Sequence, residues 1–513
     1  MAHVMTARRR VRLRAAAAGL SAAVLAVGAG ELVAAIVEPA ASPVAVIGSG
    51  LIDLAPAWAK DTAIALFGTG DKAALITGIA IVLAAVAALS GILEARRAGI
   101  GAVVLGALGA LALVVAMTRP GAGPFAWLPG LVAGVVAVVA LRLLMRVVKP
   151  IPYLRAEPEE RRRFLLWTAG VAAAGVAALI VGNVARGATR SIEAVRAALR
   201  LPSAARPAAP VPASADLGIP GLAPIVTPNA DFYRIDTALI VPRIDPADWR
   251  LRIHGMVDRE IVVTWDELLA LPMQESYVTL ACVSNEVGGS LIGNARWLGH
   301  PVRELLARAG VDADADMVLS TSSDGFTAST PIEALTDDRD ALLAVGMNGD
   351  PLPIEHGFPV RMVVPGLYGY VSATKWVVDL EVTRFDRATA YWTTRGWSDR
   401  GPVKLQSRID VPRRGQSIDP GDAVIAGMAW QQHVGVEGVE VRVDGGAWQR
   451  AEVASPISAD TWVQWRLPWT ATTGSHSIEC RAVSTDGDTQ TSQPAAPAPD
   501  GAQGWHRIDV AVG

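Results

Sequence analysis

The sequence predicts a chain of three parts: an N-terminal α-helical transmembrane bundle, a mixed α+β domain and a C-terminal immunoglobulin-like β-sandwich. Three observations predict it: five long apolar stretches in the first 185 positions, then short β-branched runs that alternate with helical periodicity, then strands of strictly alternating polarity. The predicted bounds are 1–185 for the membrane region, 186–222 for a linker, 223–408 for the α+β domain and 409–513 for the sandwich.

The membrane prediction starts from an apolar content of 51% in 513 residues, which is high for a purely soluble protein. Arginines cluster before the first apolar stretch, and the positive-inside tendency places them in the cytoplasm. Five crossings from an inside start end outside, so we expect a multi-pass protein of the cell membrane, in contact with lipid, whose later domains are extracytoplasmic. The spans are expected near 13–37, 73–93, 98–118, 125–147 and 164–183.

Two features of these spans bear on function. Arg161 and Arg162 precede the fifth span and look like an internal twin-arginine export signal, which suits a cofactor inserted before export. The alternative is an ordinary basic flank on the cytoplasmic side. Glu31 lies in the first span, where an acid either serves a function or reaches the interface near the outer end.

The predicted linker is rich in Ala, Pro, Ser and Arg, which is typical of a semi-extended tether. In the α+β domain, runs at 261–265 and 317–320 predict strands, and 265–271 and 302–309 predict helices. In the sandwich, strands are expected at 439–443, 462–467 and 477–483, separated by Asp-Gly turns at 444–446 and 486–487.

Composition excludes one class of partner. The net charge of −3 gives no bulk electrostatic case for nucleic acid. Cys282 and Cys480 are the only cysteines, and we expect both to be free thiols before any metal binds. Cys480 lies on an alternating strand and is expected in the core of the sandwich.

Two segments carry the chemistry. The first, Tyr277 to Gly289 (YVTLACVSNEVGG), takes Cys282 from an apolar strand into a loop, where its thiolate can bind a soft metal. The second, Pro353 to Trp376 (PIEHGFPVRMVVPGLYGYVSATKW), gathers basic residues that can hold an anionic cofactor. Taken alone, Cys282 is more often a small buried hydrophobe, and a His and an Arg five apart are more often a surface pair.

In combination these motifs resemble the sulfite oxidase family of molybdenum enzymes, over about residues 223–513. The resemblance implies a sulfite-oxidase-type molybdopterin domain with molybdopterin and molybdenum as cofactor, and Cys282 as the protein ligand of the metal. It implies catalytic roles for Cys282, Arg234 and Tyr391. The cofactor-binding positions that it implies are Asn229, Phe232, Tyr233, Arg234, Cys282, His356, Arg361, Ala373, Thr374 and Lys375.

Some of these positions have alternatives. Arg234 would otherwise be interpreted as a surface salt bridge, and Trp297 either walls the pocket or fills the core, the core being the usual place for such a ring. The stretch from Gly369 to Lys375 is one residue longer than in animal and plant sulfite oxidases, which leaves open which of residues 372–374 contact the cofactor. Tyr391 corresponds to a tyrosine that the family carries close to the substrate.

The expected activity is oxygen-atom transfer to or from a small or protein-borne substrate, as in sulfite dehydrogenases and methionine sulfoxide reductases. Glu286 stands in the loop where sulfite oxidases offer an arginine, and its charge repels a dianion, which disfavours sulfite. The sequence has no haem-binding pattern, so electrons are expected to pass to or from a separate partner, a quinone or a cytochrome. The sandwich resembles a dimerisation domain, which predicts a possible homodimer.

Two other interpretations remain. The chain could be a non-catalytic cell-surface binding module on a membrane anchor, with a vestigial cofactor site. It could also be a transporter, but its spans contain few ionisable residues and no histidine to carry a coupled ion. The intact Cys282 and HGFPVR motifs favour the enzyme.

Overall fold

The computed structural model describes residues 2–38, 41–54, 71–119, 122–148, 158–188, 192–238 and 240–513. The chain divides into two compact units: residues 1–191 with 238–240 form the first unit, and residues 192–237 with 241–513 form the second. Residues 189–191 of the predicted linker lie outside the described residues.

The first unit is helical. Among the residues that the structure describes, five of its helices are long and apolar enough to cross a membrane, as the sequence predicts; they include segments Val11–Val37, Ala74–Arg96, Ile100–Met117, Leu128–Val148 and Arg162–Gly182. A shorter apolar helix, which the sequence analysis missed, lies between the first two. The described helices are α1 (Ala2–Val37), α2 (Pro43–Leu54), α3 (Asp71–Arg96), α4 (Ile100–Met117), α5 (Leu128–Val148) and α6 (Pro158–Ala188).

Helix α1 packs against α3, α5 and α6 through a core rich in alanine. Small side chains let helix backbones approach closely, which is how helices associate in lipid. Glu31 is buried on α1, and its carboxylate accepts hydrogen bonds from Ser42 Oγ (2.8 and 3.0 Å) and Val44 N (3.1 Å). These donors stand at the start of α2, so Glu31 satisfies a helix N-terminus.

The α+β part of the second unit contains two sheets. One has the order β2-β1-β10-β5-β6, and the other has the order β3-β4-β7-β8, with β9 also paired to β7. The strands are β1 (Arg250–Gly255), β2 (Ile261–Thr264), β3 (Gln274–Ala281), β4 (Ile292–Pro301), β5 (Met317–Ser322), β6 (Thr327–Pro331), β7 (Leu342–Met347), β8 (Asp350–Pro351), β9 (Arg361–Val363) and β10 (Val377–Thr383).

Five helices belong to the same unit: α7 (Ile192–Ala198), α8 (Trp265–Ala270), α9 (Val302–Ala309), α10 (Glu333–Thr336) and α11 (Gly369–Ser372). Helix α8 begins with a capping box, in which Thr264 Oγ1 accepts from Glu267 N (3.3 Å) and the Glu267 carboxylate accepts from Thr264 N (2.8 Å). Helices α8 and α9 and strands β2 and β5 lie where their periodicity predicts them, because each buries one face in the core.

The C-terminal part is two packed sheets, with orders β11-β13-β17-β16 and β12-β19-β18-β14-β15. Apolar residues from both sheets, with Cys480, form one core cluster between them, as expected for a sandwich. Asp444 and Gly445 both have positive φ, which suits the tight turn between β14 and β15. The strands are β11 (Gln406–Val411), β12 (Ser417–Ile418), β13 (Gly421–Trp430), β14 (Val436–Val443), β15 (Gln449–Arg450), β16 (Glu452–Val453), β17 (Val463–Ala471), β18 (Gly474–Ser484) and β19 (His506–Val512).

The predicted linker differs from a free tether, because residues 192–222 pack on the second unit. Ile192 is buried in an apolar cluster, and Ala215 is fully buried. Ala205 N donates to Met273 O (2.7 Å), and Leu217 N donates to the Gln464 side chain (2.7 Å). Hydrogen bonds of the backbone fix this segment, and residue composition does not reveal them.

His506 joins two strands of the sandwich. Its Nδ1 accepts a hydrogen bond from Ile409 N (2.9 Å), so the ring is neutral with its proton on Nε2. Burial, with Arg414 and Arg408 nearby, lowers the pKa of His506 from 6.5 to about 4. The unfolded chain therefore takes up a proton at a higher pH than the folded chain does.

We predict that this histidine makes the fold sensitive to acid. The stability that it contributes is complete above pH 6.5 and is lost as the pH falls toward about 4. Between pH 7 and about pH 4.5, the free energy of unfolding of His506→Gln should fall by about 1–3 kcal/mol less than that of the parent, as measured by thermal unfolding followed by Trp fluorescence. Equal acid sensitivity of the two proteins would contradict the prediction.

Candidate active site

Cys282 follows strand β3 directly. Ala281, the last residue of β3, pairs with Ile292 of β4, and Cys282 N donates to Leu291 O (2.9 Å). Residues 283–291, which we call the cysteine loop, therefore connect β3 to its neighbour β4. The Cys282 side chain is partly buried at the mouth of this loop.

Strand β3 is an edge of its sheet, and the sandwich closes that edge. Thr279 N donates to Asp460 O (3.0 Å), and Thr279 O accepts from Gln432 Nε2 (3.0 Å). The Thr279 hydroxyl accepts from Trp462 N (2.9 Å). The backbone groups of Thr279, three residues before Cys282, are thus satisfied by the other part of the unit.

Two tyrosines lie near the thiol. Burial raises the pKa of Cys282, while hydrogen bonds from Ser284 and the charge of Lys375 oppose that rise. Burial also raises the pKa of Tyr233, and that of Tyr368 to about 12, and in both phenols the nearby Cys282 adds to the effect. Sequence reasoning predicted Tyr233 but missed Tyr368, which directly precedes helix α11.

Arg361 is a buried cation at the start of β9, and it is only 4% exposed. Its guanidinium donates to His356 O (3.1 Å) and, at the longer distance of 3.4 Å, to Ala373 O, and it lies 5.0 Å from the Trp297 ring centroid. It forms no ion pair with a carboxylate of the described residues. Burial lowers its pKa to about 10, so Arg361 remains charged near neutral pH.

His356 is buried and neutral. Its Nε2 lies 3.3 Å from Asn229 O, which can only accept, so Nε2 carries the proton and Nδ1 is an acceptor. Burial first, then Lys375 and Arg361, lower the pKa of His356 to about 3. Nδ1 is buried and has no hydrogen-bond partner among the described residues. The sequence analysis grouped His356 with the cationic donors, whereas the geometry makes it an acceptor for an N–H or O–H.

Lys375 shares a buried carboxylate with Arg234. Asp236 Oδ2 lies 3.2 Å from Lys375 Nζ and 3.0 Å from Arg234 Nε, and Lys375 Nζ also donates to Glu355 O (2.9 Å). Burial lowers the pKa of Lys375 to about 8, although Asp236 opposes that shift. Sequence reasoning missed Asp236, and the available signal was its position two residues after Arg234.

The segment around Asn229 forms one wall. The Asn229 side chain donates to Met347 O (3.2 Å) and accepts from Asn348 Nδ2 (2.8 Å), so it holds the segment in place. Phe232 stands edge-on to His356 (5.6 Å between centroids), and Tyr233 stacks on Phe232 (5.3 Å). A cavity of about 340 Å³ opens here, and Asn229, Phe232, Arg234 and His356 are among its lining residues.

The predicted residues 373 and 374 contact Arg361 and strand β5. Ala373 contributes its carbonyl to Arg361, and Thr374 Oγ1 lies 2.7 Å from Ser320 Oγ. Ser323, which sequence reasoning missed, donates its N–H to Trp376 O (2.9 Å). The hydroxyls of Ser322 and Ser323 are buried, and neither has a hydrogen-bond partner in the part of the chain that the structure describes. Trp297 is fully buried in the core, as expected.

Tyr391 lies in an aromatic group, and Glu286 faces solvent. Tyr391 belongs to a group with Phe326 (5.7 Å between centroids) and Trp392 (5.2 Å), and the Arg395 guanidinium lies 3.5 Å from the Tyr391 ring centroid. Glu286, in the cysteine loop, is exposed to solvent.

These features fit a bound molybdopterin. A buried arginine without a carboxylate partner suits a phosphate, and the free Nδ1 of His356 and the hydroxyls of Ser322 and Ser323 suit a polar ring system. The partly buried thiol of Cys282 is a soft donor next to this set.

Gly357 lets the two basic residues approach each other. Its φ is +114°, and an added Cβ would lie 2.9 Å from Arg361 Cβ and 3.2 Å from Lys375 Cβ.

We predict that Gly357→Ala has a free energy of unfolding about 1–3 kcal/mol lower than that of Gly396→Ala, measured by thermal unfolding. Gly396 is the control because its φ is also positive, +91°, but an added Cβ meets nothing within 4 Å. Equal losses would contradict the close approach.

Comparison with known proteins adds independent findings. The family model of the oxidoreductase molybdopterin binding domain matches residues 238–392. Mouse mitochondrial sulfite oxidase is 31% identical over 342 residues, which is 56% of this chain and 62% of that enzyme. The uncharacterized oxidoreductase YuiH of Bacillus subtilis is 32% identical over 157 residues, 31% of this chain and 76% of YuiH.

Among solved structures, the sulfane dehydrogenase SoxCD from Paracoccus pantotrophus matches with a TM-score of 0.49 and 25% identity, over 55% of this chain and 80% of that chain. The chain spans less than two thirds of the length of the mouse enzyme. The matched domain includes Cys282, His356, Arg361 and Lys375, and its cofactor is molybdopterin with molybdenum. The chain belongs to the sulfite oxidase family of molybdopterin-dependent oxidoreductases.

Proposed function

We propose that this chain is a membrane-anchored enzyme that transfers an oxygen atom at a molybdenum ion bound by Cys282. The observation that carries the proposal is Arg361, a cation buried beside the Cys282 site without a carboxylate partner among the described residues. Burying a charge without a counter-ion costs several kcal/mol, roughly. An anionic cofactor offsets that cost, whereas a binding module with a vestigial site would not need a buried cation of this kind.

The residues have separate roles in this proposal. Arg361 and Lys375 hold the anionic part of the cofactor, and His356 Nδ1 accepts a hydrogen bond from its ring system. Asn229 and Phe232 shape the cavity and keep His356 oriented. When bound, the cofactor supplies a metal that exchanges an oxygen atom and two electrons with the substrate. Tyr233 and Tyr368 keep their protons near neutral pH, so both can donate hydrogen bonds beside the thiol.

Sulfite is the first substrate to test. The sequence argument against it rested on Glu286, and that side chain is exposed, where water and salt screen its charge. The mouse relative is named a sulfite oxidase, which supports the same choice. Sulfoxide reduction is the second candidate. Arg234 supplies a positive charge at the cavity for an anionic substrate, and electrons pass to or from a separate quinone or cytochrome.

The test is the molybdenum and pterin content of the purified full-length chain, made in a host that produces the cofactor. The parent should contain both. Arg361→Gln should retain about tenfold less pterin because it loses a charge-assisted contact, and Arg252→Gln, which breaks an exposed ion pair, is the control. Cys282→Ser should lose less of its pterin content than of its metal-dependent turnover of sulfite or methionine sulfoxide. A folded parent without pterin would support the binding-module alternative.

We further propose that the first unit anchors the chain in the cell membrane and that the second unit is extracytoplasmic. The five apolar helices and the arginines before the first of them support this placement. Protease added to intact spheroplasts should then cleave the second unit. The twin-arginine route predicts that replacing Arg161 and Arg162 with lysines abolishes this cleavage, and unchanged export would leave only the basic-flank explanation.

A further inference from the structure

The cysteine loop is fixed at its far end by an arginine of the sandwich. Arg408 of β11 is 8% exposed, and its Nη1 donates to Gly289 O (2.8 Å). Its Nε donates to Asp410 Oδ1 (2.6 Å), and Asp410 Oδ2 accepts from Ala223 N (3.2 Å). Asp410 therefore holds the Arg408 guanidinium in place, and Nη1 of that guanidinium donates to the loop.

A second residue of the sandwich touches the adjacent loop position. The ring of His506 packs so closely on Gly288 that a Cβ at position 288 would overlap it. Gly288 has φ of +78°, which a residue with a side chain rarely adopts. His506 is itself oriented by Ile409 N. This contact explains Gly288, and a Cβ at Gly289 would lie 2.6 Å from Asn285 Oδ1, so both glycines at the end of the YVTLACVSNEVGG segment are accounted for by packing.

Hydrogen bonds within the loop link these contacts to the cysteine. Asn285 N donates to Cys282 O (3.0 Å), and Asn285 Oδ1 accepts from Leu291 N (2.8 Å). Gly289 N donates to Glu286 O (2.8 Å). These hydrogen bonds join residues 288–289 to Cys282 through the loop, so a displacement at residues 288–289 is expected to move the cysteine.

We propose that Arg408 and His506 are positioning residues that set the exposure and direction of the Cys282 sulfur. The inference rests on the proposed function only for its consequence, which is that the sandwich controls the geometry of the metal ligand. The control itself is a property of the folded chain and is measurable without the cofactor.

The test uses the full-length chain made in a host that lacks the cofactor, and it measures the rate at which a small disulfide reagent modifies each cysteine at fixed pH. Cys480 is the internal reference, because it is fully buried and burial raises its pKa to about 12. Arg408→Gln and Gly288→Ala should each change the Cys282 rate by about tenfold, and Arg408→Lys should restore part of the parent rate. Arg466→Gln, which breaks an exposed ion pair elsewhere in the sandwich, should match the parent.

A changed Cys282 rate with Cys480 still protected supports the proposal. Parent-like Cys282 rates in both variants overturn it, and so does loss of Cys480 protection in both, because the residues would then serve overall folding. This result is independent of metal content, so it is distinguishable from a failure of the proposed function. In loaded protein, the same variants should alter the electron paramagnetic resonance spectrum of the metal, which a purely structural role would leave unchanged.

Discussion

The site depends on the closure of one sheet edge. Strand β3 carries Cys282 at its end, and an open edge at this point would expose unpaired backbone groups and let the strand shift. Strand β3 pairs with β4 in one register over its whole length, and residues of the sandwich bond both backbone groups of Thr279, so the edge of β3 is closed from outside its own sheet. The α+β part and the sandwich are consequently not two modules in series, since the cysteine strand is complete only when both have folded.

The second constraint is electrostatic. Arg361 and Lys375 are buried together, and Asp236 is the carboxylate that pairs with Lys375 and Arg234. Burial lowers the pKa of both basic groups, which means that the folded chain holds their charges at a cost. An anionic ligand that relieves this cost binds the folded state selectively and stabilises it by mass action. Binding of an anionic cofactor and folding stability are therefore coupled in this protein.

Much of this was predictable from the sequence, and the exceptions have physical causes. The apolar helices, α8, α9 and the alternating strands of the sandwich were predicted because each pattern reports burial of one face. The resemblance supplied Cys282, His356, Arg361 and Lys375. Asp236 and Tyr368 were missed because their roles arise from distant chain segments that meet only in the fold. The protonation state of His356 was also beyond the sequence, because it follows from a single carbonyl acceptor.

The packed segment 192–222 has a practical consequence for the boundaries of a soluble fragment. A fragment that begins at residue 223 removes Ile192 and Ala215 from their apolar clusters and leaves Met273 O and the Gln464 side chain without their donors. The apolar surface exposed in this way would favour aggregation of the fragment. A fragment that begins at Ile192 keeps these contacts, and the Ala- and Pro-rich stretch then functions as part of the globular domain it leads into.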